Sequence, residues 1–82
     1  MNVKDSNGWS EALRLQTLEY IRQAIISPLD GNLHFKHWSD GAAFITFENL
    51  CREKLVLIDK RDGQRMEFGS AEDLVNAGWA ID

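Results

Sequence analysis

The sequence has few of the residues that most often reveal the chemistry of a small protein. Its 82 residues include one cysteine, one proline and six glycines that occur singly. A single cysteine excludes an internal disulfide, so we expect a protein of a reducing compartment. Glycines scattered in this way do not form a phosphate-binding loop, which argues against nucleotide hydrolysis.

Long apolar runs are also missing. The uncharged stretches with appreciable apolar content, such as 41–47, are much shorter than a bilayer-spanning helix requires. Residues 1–8 lack the apolar centre of a secretory signal. We therefore expect a soluble, cytoplasmic protein that does not interact with a membrane.

Basic residues are in the minority. Nine lysines and arginines face 13 aspartates and glutamates, which gives a net charge of −4. A nucleic-acid-binding surface typically carries a basic surplus, so this balance argues against nucleic acid as the main partner. The segment 52–65 nevertheless holds five basic residues against three acidic ones. Weak nucleic-acid binding through this segment is therefore one alternative function, and it predicts an affinity that falls steeply with salt.

The composition that remains is typical of a folded protein. Apolar residues make up 44% of the sequence, and three residues are tryptophans. The length accommodates a single domain over 1–82, in which 1–8 is a flexible lead-in.

Capping residues and apolar spacing predict the elements of the first half. We expect a helix over 10–26, capped by Ser10 and ended by Pro28, because the segment has no glycine or proline and its apolar residues follow helical spacing. Alternating residues then predict a strand over 33–38, and residues that are apolar on both sides predict a second strand over 42–47.

The second half contains a predicted hairpin. Residues 55–58 are apolar on both sides, which indicates a central strand, and 64–68 alternate as a second strand. Asp62 and Gly63 lie between them, and an Asp-Gly pair is a strong signal for a short turn.

A capped helix follows the hairpin. Ser70 is the predicted N-cap of a helix over 71–75, and Gly78 is its left-handed stop, beyond which Trp79 packs. Residues 48–53 fit a loop, a helical turn or an extension of a neighbouring strand.

These elements predict an α+β fold of two layers in the order α-β-β-β-β-α. Short connections between successive strands favour an antiparallel meander of three to four strands, with the N-terminal helix and a short C-terminal helix on one face. Two of the strands are apolar on both sides, so the second face also requires a cover. Curling of the sheet, the segment 48–53, a second copy or another protein would each supply one.

One set of residues permits a chemical site. His34, His37, Asp40 and Cys51 would serve a small metal-binding protein or a cysteine-dependent enzyme. On a strand, however, the odd separation of the two histidines directs their rings to opposite faces, and a lone cysteine is more typical of a small buried residue. The prediction is therefore a protein without enzymatic activity, metal or cofactor.

The leading hypothesis is a protein-interaction or regulatory module, which either forms a homodimer or docks on a protein partner. Phe35 and Trp38 are the predicted apolar anchors, because aromatic residues often dominate the binding energy of interfaces. Arg61 and Arg65 are the predicted rim charges that steer a partner.

Overall fold

The computed structural model describes residues 9–82, so the predicted lead-in over 1–8 lies outside the described residues. Within this part of the chain there are three helices and five strands. In chain order they are α1 (Glu11–Gln23), β1 (Asn32–His37), β2 (Ala42–Thr46), α2 (Phe47–Cys51), β3 (Leu55–Asp59), β4 (Arg65–Phe68), α3 (Ala71–Asn76) and β5 (Trp79–Ile81). None of the helices over 9–82 is long and apolar enough to span a membrane.

The strands form one antiparallel sheet in the order β4-β3-β2-β1-β5. The predicted α+β class and the meander of the first four strands are confirmed. The strand count is one higher than predicted, because the chain after α3 forms β5. Gly78 turns the chain with φ +107°, and its carbonyl accepts a hydrogen bond from Trp38 N at 3.0 Å, which extends the ladder between β1 and β5.

Helix α1 begins as predicted and ends earlier. The Ser10 side chain accepts a hydrogen bond from Leu13 N at 3.2 Å, which satisfies an amide of the first turn. At the other end Ala24 adopts the left-handed conformation, with φ 54°, and Ile25 N donates to Tyr20 O at 3.1 Å. The helix therefore stops at a left-handed cap before it reaches the proline.

The ambiguous segment after β2 is mostly helical. Thr46 is the N-cap of α2, and its side chain accepts a hydrogen bond from Asn49 N at 3.2 Å. Phe47, which was predicted to end a strand, is instead the first residue of this helix. Leu50 is buried in the core, so α2 closes the end of the sheet between β2 and β3.

The two faces of the sheet differ sharply. Alternate residues of a strand point to opposite faces, and residues opposite each other in register share a face. One face, here called the core face, packs on the helices and carries Leu33, Phe35, Ala43, Ile45, Leu55, Leu57 and Trp79. The opposite face, here called the outer face, carries His34, Lys36, Phe44, Val56, Ile58, Arg65 and Glu67.

The two edges of the sheet also differ. Thr17, in α1, is fully buried, and its hydroxyl accepts a hydrogen bond from Ile81 N at 3.1 Å. Helix α1 therefore covers the edge formed by β5. At the other edge, Arg65 and Glu67 of β4 are exposed.

Candidate protein-contact surface

The four predicted contact residues do not share one environment. Trp38 lies just after β1 and is 53% exposed, as expected for a residue that precedes a turn. Arg61 lies in the turn between β3 and β4, and Arg65 is the first residue of β4. These three lie toward the same end of the sheet, where the β1–β2 and β3–β4 turns are found.

Phe35 does not belong to this surface. Its side chain is completely buried on the core face, so it has no area to present to a partner, and its prediction as an anchor is corrected. The physical reason is the alternation along β1, which directs Phe35 toward the helices.

Phe44 is the aromatic residue that the outer face presents instead. It lies opposite His34 on β1 and opposite Ile58 on β3, and all three are half-buried. The ring centroids of His34 and Phe44 are 6.2 Å apart. The signal for Phe44 is present in the sequence, because β2 is apolar on both sides and one of those sides must lie away from the helices.

Apolar residues run across the middle of the outer face. Phe44 on β2 and both Val56 and Ile58 on β3 are each partly exposed. Neighbouring strands lie about 4.8 Å apart, so these side chains are adjacent and form a continuous apolar strip. Among the residues that the structure describes, the strip is covered only in part, so the outer face is the side of the two-layer fold without a complete cover.

A second aromatic residue covers the β1 side of the outer face. The ring nitrogen of Trp9 donates to Gly78 O at 2.8 Å, and Lys36 Nζ lies 5.2 Å from the centroid of the Trp9 ring. This is the geometry of a cation–π contact. Trp9 thus packs next to β1 and β5, whereas Trp38 remains the more exposed indole at the same end.

Arg61 connects the two turns at this end of the sheet. Its guanidinium lies 3.5 Å from Asp59 Oδ1 and 3.9 Å from Asp40 Oδ2. The hydrogen bond to Asp59 and the charges of both carboxylates raise the pKa of Arg61. The main-chain N–H of Arg61 also donates to Asp59 Oδ1 at 2.7 Å, and this bond is the first cause of the lowered pKa of Asp59. Arg61 therefore contributes to turn structure in addition to any steering of a partner.

Both histidines have structural contacts. His34 Nε2 lies 2.7 Å from Asp30 Oδ2, which joins β1 to the turn that precedes it. The lowered pKa of Asp30 is caused first by the main-chain N–H of Asn32 and further by His34. On the core side, His37 Nε2 donates to Ala77 O at 2.8 Å, and the His37 ring meets Trp79 edge-on with centroids 4.8 Å apart.

The alternative chemical site is not assembled. His34 and His37 point to opposite faces of β1, as the odd separation predicts. Asp40 precedes β2 and Cys51 ends α2, so the whole of β2 separates them, about 16 Å at the rise of an extended strand. Cys51 is exposed in a cleft that also contains Ile21 and Leu55. Over 9–82, no three histidine, cysteine or acidic side chains are grouped in a way that would hold a metal ion.

The charged residues of the alternative nucleic-acid surface are partly neutralised. Arg52 forms an ion pair with Glu48 at 2.9 Å, and Arg61 is bound to Asp59 as described above. The acidic residues of the C-terminal region are dispersed as well: Glu67 lies on the β4 edge, and Asp82 follows β5 at the opposite edge. The basic surplus of the segment 52–65 is therefore small at the surface.

Comparison of the chain with models of protein families, with curated proteins and with solved structures gives no match. The residues and their geometry are therefore the basis for the functional argument.

Proposed function

We propose that this protein is a non-enzymatic interaction module that binds another protein chain through the outer face of its sheet. The observation that carries the proposal is the apolar strip of Phe44, Val56 and Ile58, which remains partly exposed on the side of the sheet away from the helices. Contiguous exposed apolar residues with a polar rim are typical of protein-interaction sites.

Trp38 is the main contact residue of the proposed interface. It is 53% exposed and follows β1 at the end of the sheet where Arg61 and Arg65 also lie. Tryptophan is enriched among the residues that contribute most to interfaces, because it buries a large apolar area and keeps one donor. Truncation of its side chain therefore removes contact area without opening the core.

Charged residues frame the apolar strip. Lys36 lies on one side of it and Arg65 on the other, and both belong to the outer face. Rim charges of this kind mainly influence the association rate and its salt dependence. The proposed partner surface therefore has an apolar centre and carboxylates at its margin.

Partner capture with matched variants tests this function. The immobilised protein is incubated with an extract of the cells that produce it, and the bound proteins are quantified for the wild type, Trp38→Ala and Leu29→Ala. Leu29 is a suitable control because it is 94% exposed, in the turn before β1. We expect one or more proteins to be retained by the wild type and Leu29→Ala and lost by Trp38→Ala. Equal retention by all three chains would contradict the proposal.

A further inference from the structure

The β4 edge has main-chain groups that are available for pairing. Asp59 N donates to Gln64 O at 2.9 Å, which makes these two residues a hydrogen-bonded pair at the base of the β3–β4 hairpin. In an antiparallel ladder, such pairs alternate with pairs that exchange no hydrogen bonds. Arg65 and Glu67 belong to the latter pairs, so their N–H and C=O groups point away from β3, toward the free edge.

The side chains at this edge are also available. Arg65 and Glu67 are both exposed, and no ion pair joins either of them to another residue of the described chain. They are separated by one residue, so both side chains lie on the outer face. The edge thus presents one positive and one negative charge together with two sets of free main-chain groups.

We propose that β4 pairs with β4 of a second copy of this chain, in antiparallel orientation about a two-fold axis at Met66. In this register Arg65 lies opposite the partner's Glu67, and Glu67 lies opposite the partner's Arg65. The main-chain groups that point outward then form both hydrogen-bonded pairs, and both side-chain pairs are of opposite charge. A two-fold interface requires such self-complementarity.

The other registers that use the same main-chain groups are disfavoured by charge. Shifting the strands by two residues in one direction sets Arg65 opposite the partner's Arg65. The shift in the other direction sets Glu67 opposite the partner's Glu67. Like charges directly opposite each other on neighbouring strands are destabilising, so the sequence of β4 selects a single register.

The ends of β4 fit this arrangement. The selected register places Gly63 opposite the partner's Gly69, and neither residue has a side chain that would obstruct the approach of the second strand. On the core side, Met66 lies opposite the partner's Met66 in a pair without hydrogen bonds, where side chains approach closely. The half-buried Met66 side chains of the two copies then cover each other.

This inference goes beyond the proposed function, because the two copies meet at the β4 edge and their outer faces stay available to another protein. The two sheets become one sheet of ten strands, and the two outer faces lie side by side. The contrast with β5 supports the choice of edge, since Thr17 and α1 already cover the β5 edge.

Charge reversal at the two edge residues tests the pairing. The variants are Arg65→Glu, Glu67→Arg and the double swap that carries both changes, and the solution mass of each is measured by light scattering after size-exclusion chromatography. For the wild type we expect a mass that rises with concentration toward twice the 9.4 kDa of one chain. Each single variant places like charges in both pairs and remains at 9.4 kDa, whereas the double swap restores opposite charges and the dimer.

An equimolar mixture of the two single variants provides the sharpest version of the test. One chain then carries two negative charges at the edge and the other two positive charges, so we expect a mixed dimer although neither variant pairs with itself. Circular dichroism checks that the exposed substitutions leave the fold unchanged.

Two results would overturn the inference. One is a wild type that stays at one chain mass at every concentration, and the other is a dimer that both single variants form as readily as the wild type. Loss of that dimer in Trp38→Ala would place the contact on the outer face, so the proposed function would stand while the β4 pairing would fail. The proposed function itself fails only in the partner-capture experiment.

Discussion

The hydroxyl of Thr17 accepts a hydrogen bond from the main-chain N–H of Ile81 at 3.1 Å, and it donates one to Leu13 O at 2.8 Å. A helix residue thus accepts a hydrogen bond from an outward-pointing N–H of an edge strand. Unpaired edge strands readily pair with other chains, and a covering helix is one way in which proteins prevent this. Helix α1 thus covers the β5 edge, and within residues 9–82 the edge available for association is β4.

Replacement of Thr17 by valine tests the importance of this contact. Valine preserves the shape of the fully buried Thr17 side chain and removes its hydroxyl, so Ile81 N loses its acceptor. We expect the free energy of unfolding to fall by about 1–3 kcal/mol, the usual cost of a buried polar group without a partner. Chemical denaturation measures the change.

Thr17→Ser is the matched control for this substitution. It keeps the hydroxyl and loses only a methyl group, so it should retain more stability than Thr17→Val. The reverse order of stability would show that packing of the methyl group, and not the hydrogen bond to Ile81, makes Thr17 important.

Replacement of Gly78 by alanine should be more costly than replacement of another glycine of positive φ. Gly78 has φ +107°, and a Cβ atom there would lie 2.5 Å from His37 Nε2. The ring cannot move away freely, because Nε2 donates to Ala77 O. Backbone strain alone costs about 1–3 kcal/mol. We expect Gly78→Ala to lower the free energy of unfolding by more than this, because the clash adds to the strain.

Gly31→Ala separates strain from steric conflict. Gly31 has φ +76°, and no atom lies within 4 Å of the position that its Cβ would occupy. The loss of stability in Gly31→Ala therefore measures the cost of backbone strain without a steric clash. Equal destabilisation by the two variants, measured by thermal or chemical unfolding, would contradict the close contact between Gly78 and His37.

The lowered pKa of Asp59 predicts a loss of stability in acid. Its carboxylate is stabilised in the folded state by the main-chain N–H of Arg61 and then by the Arg61 side chain, and its ordinary pKa is 3.8. A pKa that is lower in the folded state gives stability that is fully present well above the ordinary value and is lost as the pH falls through the lowered value.

The comparison of the wild type with Asp59→Asn isolates this contribution, because asparagine keeps an acceptor oxygen and removes the charge. The stability advantage of the wild type should be largest near neutral pH and should shrink as the pH falls below 3.8. Unfolding by urea at a series of pH values measures it. A difference between the two chains that does not change with pH would be evidence against the prediction.

The sequence predicts the elements whose signals are local. Ser10 and Ser70 are the N-caps of α1 and α3, and Gly63 has the positive φ that the hairpin turn requires. The end of α1 is different, because Ala24 has no intrinsic preference for the left-handed conformation and adopts it within the tertiary fold. Strand β5 has only three residues, too few for a periodic pattern.

The contact surface is less predictable for a related reason. Alternation along β1 separates Phe35 from Trp38, but it does not reveal which face the helices will cover. Both sides of β2 are apolar, so Phe44 and Ile45 are equally plausible core residues from the sequence, and only the packing of α1 and α3 distinguishes them. Likewise, the free edge at β4 depends on where β5 joins the sheet, which is a long-range contact.

Amide hydrogen exchange at Arg65 and Glu67 distinguishes an unpaired β4 edge from a paired one, since their N–H groups point to the free edge in one chain and would be hydrogen-bonded in the pair. Measured by NMR over a range of protein concentrations, both amides should exchange rapidly in dilute solution and become protected as the concentration rises. Protection of the Leu57 amide, within the β3–β4 ladder, should be present throughout. Rapid exchange of Arg65 and Glu67 at every concentration would contradict the pairing of two copies through β4.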